Sequence, residues 1–503
     1  MAKSIQRQAI LSTIFTYLGF GFGAMNLLLL QPFILGQDQF GLTRVITDVS
    51  LLAVSFATFG GTTVGGKFFS MYKDYLPYEK NDLPFITALI CGSGLCITLL
   101  LLYVLKAPII RFYGQNNPFF VPYYWTIFPY VISYMAFTFF EPYAWYAGKT
   151  VAYNTLKETV QRVLFTGLLI ATALKWIGFD VFIGIYAFSY TLPAILIFIL
   201  VKNAKGLPWT TKISIATKRI KDKLFLFTSF YYLTYLVSMC AQVAGTLLLA
   251  GLIDMASAGI FAIALYFSSV IEVPSRTIVG SAVPVLQGYW RVKNMNGLAS
   301  IYKKSAMTMM IVGLGLGGLI VVNLNDIILF LEKAKGHQPF SIMFWPVLIL
   351  LFAKLVELST GVNTYIIHTS NRWSFDLKST MFYSVISLPL NYFLIKHFAM
   401  LGAAFAALIS ALFYNIYRCV FLYVQFKLQP FTKKNIELFV ISVGLIIGVY
   451  FIPMIGNLYI DAIIKSVIYI ALFGYFLLAR QYSPEVTFLW NKWGGKLYRI
   501  IKK

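Results

Sequence analysis

Charge is what this sequence has least of. Asp, Glu, Lys and Arg make up 12% of its 503 residues, where a soluble globular protein carries roughly 25%. With half that complement a water-soluble fold could not solvate its surface. Acidic residues are the scarcer kind, 18 against 41 Lys and Arg. Histidine occurs three times (His337, His368 and His397), always near a predicted loop, which excludes a His metal cluster. The four cysteines, Cys91, Cys96, Cys240 and Cys419, fall in or beside apolar stretches. No two have the spacing of a metal or redox motif, so they read as packing residues. Gly148-Lys149-Thr150 looks like the end of a P-loop, but the glycine needed five residues earlier is Tyr143, so the motif fails. HExxH and GxSxG are also missing. The longest outer connection is roughly 106–118, too short to carry the catalytic loop of a membrane glycosyltransferase, polymerase or ligase. We therefore expect no enzyme, no cofactor and no metal.

What is abundant is apolar length. Hydrophobic residues are 59% of the chain and mean hydropathy is +0.76. Continuous apolar blocks fall near 8–34, 44–66, 83–105, 119–140, 155–176, 180–202, 222–251, 256–283, 303–332, 341–367, 374–395, 399–426, 435–454 and 460–481. A spanning helix needs about 20 such residues. Barrel strands would instead alternate over about ten residues. The expectation is an all-α integral membrane protein of about fourteen transmembrane helices. The first block is too long for a cleavable signal and leads straight into further spans.

Lysine and arginine orient the set. With the N-terminus inside, alternate connections hold 31 basic residues on the cytoplasmic side and 7 outside; Arg276, Lys354 and Lys465 lie within blocks. Both termini are thus placed in the cytoplasm. The net charge of +23 is accounted for by topology, which argues against a nucleic-acid partner. The densest basic run, Lys202 to Lys223, separates six blocks from the next six. The division expected is 1–210, a six-helix lobe; 211–430, a second; and 431–503, helices 13 and 14 with a basic tail. A faint echo links Gly36, Asp38 and Gly41 to Gly251, Asp254 and Gly259, either as parallel repeats or as ordinary turn residues. The tail with Trp490, Lys492, Trp493 and Lys496, and the stretch 211–224, read as amphipathic segments at the anionic inner leaflet.

Ionisable residues inside the blocks are the candidate site. Such a group costs about 2.5–3.5 kcal/mol at a helix centre, so retained ones face water or a partner. Arg44 and Asp48, Glu272 and Arg276, and Lys354 and Glu357 are each spaced to share a helix face. Glu141 ends helix 4, and Arg418 lies near the inner end of helix 12. Lys354 is too central to snorkel. Self-neutralising structural pairs and a wet cavity for ions or an anionic group are both open readings. Glycines in helices 1, 2 and 9 (Gly19, Gly21 and Gly23; Gly60, Gly61, Gly65 and Gly66; Gly313, Gly315, Gly317 and Gly318) suit close packing or hinges.

The opening stretch Ser4-Ile-Gln-Arg-Gln-Ala-Ile, with Gln31-Pro32 and Phe40-Gly41-Leu42-Thr43-Arg44, resembles the polysaccharide-export branch of the MOP superfamily, the Wzx-type flippases of lipid-linked oligosaccharides such as O-antigen units of lipopolysaccharide. The six, six and two plan extends the likeness over nearly the whole chain. The resemblance implies a MATE-like V of two lobes in a bacterial cytoplasmic membrane. It also implies alternating access and a glycan on a polyprenyl pyrophosphate as cargo. Partners would be membrane lipids, the glycan polymerase and other surface-polysaccharide assembly proteins. Cavity candidates are Arg44, Arg276 and Lys354. Relatives couple to H⁺ or Na⁺, for which Asp48, Glu141, Glu272 and Glu357 are available. The family's cavity is typically cationic, whereas these candidates are mixed in sign. A multidrug or metabolite cation antiporter of the same fold, and a membrane glycan polymerase or glycosyltransferase, are the alternatives.

Overall fold

The computed structural model describes Phe15 and residues 18–334, 340–372, 374–453 and 456–482. The basic tail beyond 482, the opening residues Ser4 to Ile10, and Lys335 and His337 lie outside the described residues. Among those described there is helix and no strand. The chain forms two compact units, 1–263 and 264–503.

The first unit contains α1 (Leu18–Ile34), α2 (Gln37–Ala57), α3 (Gly61–Tyr75), α4 (Leu83–Val104), α5 (Lys106–Gly114), α6 (Ile127–Phe139), α7 (Glu141–Tyr146), α8 (150–173), α9 (Phe179–Tyr186), α10 (Thr191–Asn203) and α11 (Ile215–Leu252). α12 (Met255–Val270) begins in it and runs into the second. The second holds α13 (Val273–Arg291), α14 (Met295–Val322), α15 (Leu324–Ala334), α16 (Phe344–Ser359), α17 (Asn363–Thr369), α18 (Ser374–Phe426), α19 (Lys433–Tyr450) and α20 (Leu458–Ala479). In their described parts, all fourteen apolar blocks fall on helical segments. Eight helices among the described residues are long and apolar enough to span alone, or nine if α12 and α13, bent by 46°, make one span.

Several blocks are not single rods. The block 44–66 stops at Ala57, because Phe59 and Gly60 turn left-handed (φ 42° and 76°) and α3 starts afresh at Gly61. The block 341–367 breaks at Gly361, φ 58°, between α16 and α17. Conversely, the 53 residues of α18 hide two spans. Ala399 is non-helical (φ 47°, ψ −126°), and the ring of Phe375 stacks on Phe421 at 3.6 Å while Tyr383 meets Tyr414 at 5.0 Å. Residues equidistant from Ala399 touch, so α18 is a helical hairpin.

Each unit buries aromatic and aliphatic side chains inward and shows apolar ones outward. In the first, Phe69, Tyr72, Phe137, Tyr143, Tyr153, Ile197 and Val201 form a buried core. In the second, α14 packs on α19 and α20 through Met310, Leu314, Leu438, Val449, Tyr469 and Phe473. On α20, Ile460, Ile463, Val467 and Ile470 are exposed at helical spacing. In water such a stripe would drive aggregation; in a bilayer it is the lipid face.

Packing accounts for two of the three glycines of helix 1. Gly19 lies against the Glu158 backbone and Gly23 against the Arg162 guanidinium, while Gly21 faces open space. The two echoing turns prove to touch within the first unit. Gly41 abuts the Met255 carbonyl, and Gly259 faces the Phe40 ring, so no side chain fits between them. Asn117 clamps the same corner: its Nδ2 donates to the Ala250 carbonyl at 2.9 Å, and its Oδ1 accepts from Met255 N at 2.8 Å. The basic linker is anchored at the other end. Ser214 caps α11, and Asp82 accepts from Ser214 N (2.7 Å) and the Thr217 hydroxyl (2.8 Å). Lys212, Lys218, Arg219 and Lys221 beside it are exposed.

Candidate functional site

The sequence-predicted charges gather into separate groups. In the first unit Arg44 and Asp48 form the expected one-turn pair on α2, Nε to Oδ2 3.0 Å. Asp48 is fully buried next to Thr246 of α11, and Arg44 is 35% exposed. Thr47 beside them shares a hydrogen bond of 2.6 Å with the Tyr186 hydroxyl. Glu141 is not part of this group. It opens α7, receives the Tyr153 hydroxyl and lies near Lys157.

In the second unit Lys354 is the hub. Its Nζ lies 2.7 Å from Glu357, one turn on, and 2.8 Å from Glu272, on the joint between α12 and α13. Glu272, expected to pair with Arg276 within helix 8, also bridges to another helix. The helix breaks at Ile271-Glu272, which turns Glu272 toward α16. Arg276 is exposed and still within electrostatic range of Glu272 and Tyr365. Two cations and two carboxylates thus share one region, with Tyr365 and Tyr383 close by. Side-chain exposures of 22% (Lys354), 31% (Glu272) and 51% (Glu357) leave this group only partly covered by protein. The neighbouring residues Leu355 and Val356, with Phe352, Phe431, Ile436 and Phe439, line an apolar groove of about 230 Å³.

Two buried ion pairs were not singled out from sequence. Arg418 is wholly buried and bridges to Asp376. It also donates to the Ser379 hydroxyl at 3.1 Å and to Thr364, tying both limbs of α18 to α17. Lys465 on α20 pairs with Asp326 on α15 at 2.8 Å, both nearly inaccessible. The partners lie 42 and 139 residues apart, beyond any local spacing rule. The only signal was a lone charge within an apolar block.

This arrangement of helices is also found among solved flippases and multidrug transporters. Among solved structures, the lipid II flippase MurJ in an inward closed conformation is similar with a TM-score of 0.69 and 14% identity, covering 93% of this chain and 98% of that one. An inward-facing multidrug resistance MATE family transporter of the MOP superfamily scores 0.58 at 12% identity, over 82% of this chain and 95% of that one. The MATE transporter VcmN of Vibrio cholerae, in its bent form, scores 0.55 at 15% identity, over 84% and 98%. At these identities the likeness is one of fold. No family model matches the sequence, and no curated protein is significantly similar to it. The chain is a multi-pass membrane protein that shares the fold of these MurJ and MATE structures.

Proposed function

We propose that this protein is a flippase that moves a polyprenyl-pyrophosphate-linked oligosaccharide across a bacterial cytoplasmic membrane for surface polysaccharide assembly, by alternating access. The observation that carries the reading is the group of Arg276, Lys354, Glu272 and Glu357 within a MOP fold. A pyrophosphate crossing a low-dielectric region needs cations near its path. Lys354 is already held by two carboxylates. An incoming pyrophosphate therefore exchanges places with a carboxylate rather than meeting a bare ammonium. Arg276, the more exposed cation, makes first contact. The released carboxylate, Glu272 or Glu357, is where an H⁺ or Na⁺ would couple; Asp48 and Glu141 are the corresponding groups of the first unit. The apolar groove beside α16 suits the prenyl chain of an amphiphile whose head is charged.

The fold neighbours that are multidrug transporters support a second reading, export of organic cations, for which the carboxylates would be the binding groups. One experiment separates the two. In cells lacking the protein, lipid-linked oligosaccharide is expected to accumulate in the inner leaflet and surface glycan to disappear. Restoration by the wild type but not by Lys354→Ala or Arg276→Ala, with the variants still inserted, supports the flippase. Unchanged glycan together with raised sensitivity to cationic drugs replaces it with the antiporter.

A further inference from the structure

Four tyrosines sit in two one-turn pairs in the first unit: Tyr130 and Tyr134 on α6, Tyr186 and Tyr190 at the ends of α9 and α10. Tyr130 and Tyr134, four apart on one helix, share a face, and Tyr186 and Tyr190 meet them ring against ring. The inner members, Tyr130 and Tyr186, are buried, with centroids 5.5 Å apart. They are core. The outer members, Tyr134 and Tyr190, are only half-buried, with centroids 4.5 Å apart and planes inclined by 57°. A third ring, Tyr235 of α11, is 45% exposed and within electrostatic range of Tyr134, Glu141 and Lys157.

This patch does not face lipid. A carboxylate and an ammonium directed into hydrocarbon would each cost about 2.5–3.5 kcal/mol, and Glu141 and Lys157 are both half-exposed here. The charges thus put water, not lipid, against the exposed ring faces. Ring faces so placed accept either an organic cation or the C–H face of a sugar, because both present positive edges to the π cloud. Lys157 decides between them. It stands near Glu141, with its Nζ 6.0 Å from the Tyr153 ring, and so offsets the carboxylate that a cation would need. Glu158, within electrostatic range of Tyr134 and Tyr190, is paired with Arg162 at 2.9 Å. What remains is a neutral surface of rings, hydroxyls and two paired carboxylates, which suits a polyhydroxylated ring.

We propose that Tyr134, Tyr190 and Tyr235, with Glu141 and Lys157, form the subsite that holds the sugar rings of the lipid-linked glycan. The sugars stack on the tyrosines and hydrogen-bond to the charged pair. This rests on the flippase reading and adds a specificity-determining surface that is separate from the cations of the second unit.

The test compares two probes on the purified full chain: polyprenyl pyrophosphate without sugar, and the glycan-bearing lipid extracted from cells lacking the protein. The wild type is expected to bind the glycan-bearing lipid more tightly. Tyr134→Leu and Tyr235→Leu should each remove about tenfold of that affinity, as loss of one aromatic contact implies, and leave the bare lipid unchanged. Tyr134→Phe should retain it, because the ring is what stacks. Equal losses for both lipids, or no loss for either, overturn the sugar subsite while the flippase reading stands. So does tighter binding of tetraphenylphosphonium than of glycan that is lost in the leucine variants. Failure of the wild type to bind either lipid, or no glycan-bearing lipid in the deleted cells, overturns the flippase reading and the subsite with it.

Discussion

The charges around Lys354 make a prediction of sign. Lys354 contacts two carboxylates at 2.7 and 2.8 Å, so Lys354→Met removes a cation and leaves two anions with Arg276 as the remaining cation of the group, whereas Glu357→Gln removes an anion that competes with the substrate. Two unit charges 4 Å apart interact by about 1 kcal/mol in a water-like medium and about 4 kcal/mol at the effective dielectric of a protein surface. Lys354 is 22% exposed, which places it between these limits. Its loss should weaken pyrophosphate binding by about tenfold to a hundredfold. Glu357 is 51% exposed and better screened, so its neutralisation should strengthen binding by about fivefold. Calorimetric titration of the purified protein with inorganic pyrophosphate at low ionic strength measures both. A tenfold rise in salt should shrink both effects. Melting curves in detergent establish that each variant is folded. If Glu357→Gln weakens binding as Lys354→Met does, the triad is a structural lock and not an exchange site.

The buried pair of Lys465 and Asp326 should behave differently. Lys465→Met strands a buried carboxylate and should cost about 3–5 kcal/mol of stability, while the double variant Lys465→Met, Asp326→Leu should recover most of it; melting temperatures of the four proteins decide. Asn117→Ala leaves a buried N–H and carbonyl at the corner of α11 and α12 unpaired. A loss of about 2–4 kcal/mol follows, and an unchanged melting temperature would show that the clamp is not made. The orientation is checked by single cysteines: Lys106→Cys should react with an impermeant thiol reagent in whole cells, and Lys218→Cys only after lysis.

The sequence by itself determined the solvent, the class and the cadence of the chain. Runs of about 20 apolar residues leave no alternative to helices where water cannot satisfy the backbone, and all fourteen blocks, in their described parts, lie on helical segments. Local spacing also delivered two true pairs, Arg44 with Asp48 and Lys354 with Glu357, because residues three or four apart meet on any helix. Tertiary structure decided which helix a charge serves. Glu272 reaches Lys354 on another helix as well as its neighbour Arg276, because the chain breaks at residue 271, and a break is set by packing, not by hydropathy. Arg418 with Asp376, and Lys465 with Asp326, needed a hairpin and a helix crossing to bring distant residues together. Tyr130, Tyr134, Tyr186, Tyr190 and Tyr235 carried no signal in the sequence. Their gathering into one patch depends on four helices whose order in the chain says nothing of which faces meet, since an apolar face fits many partners equally and only close packing selects one.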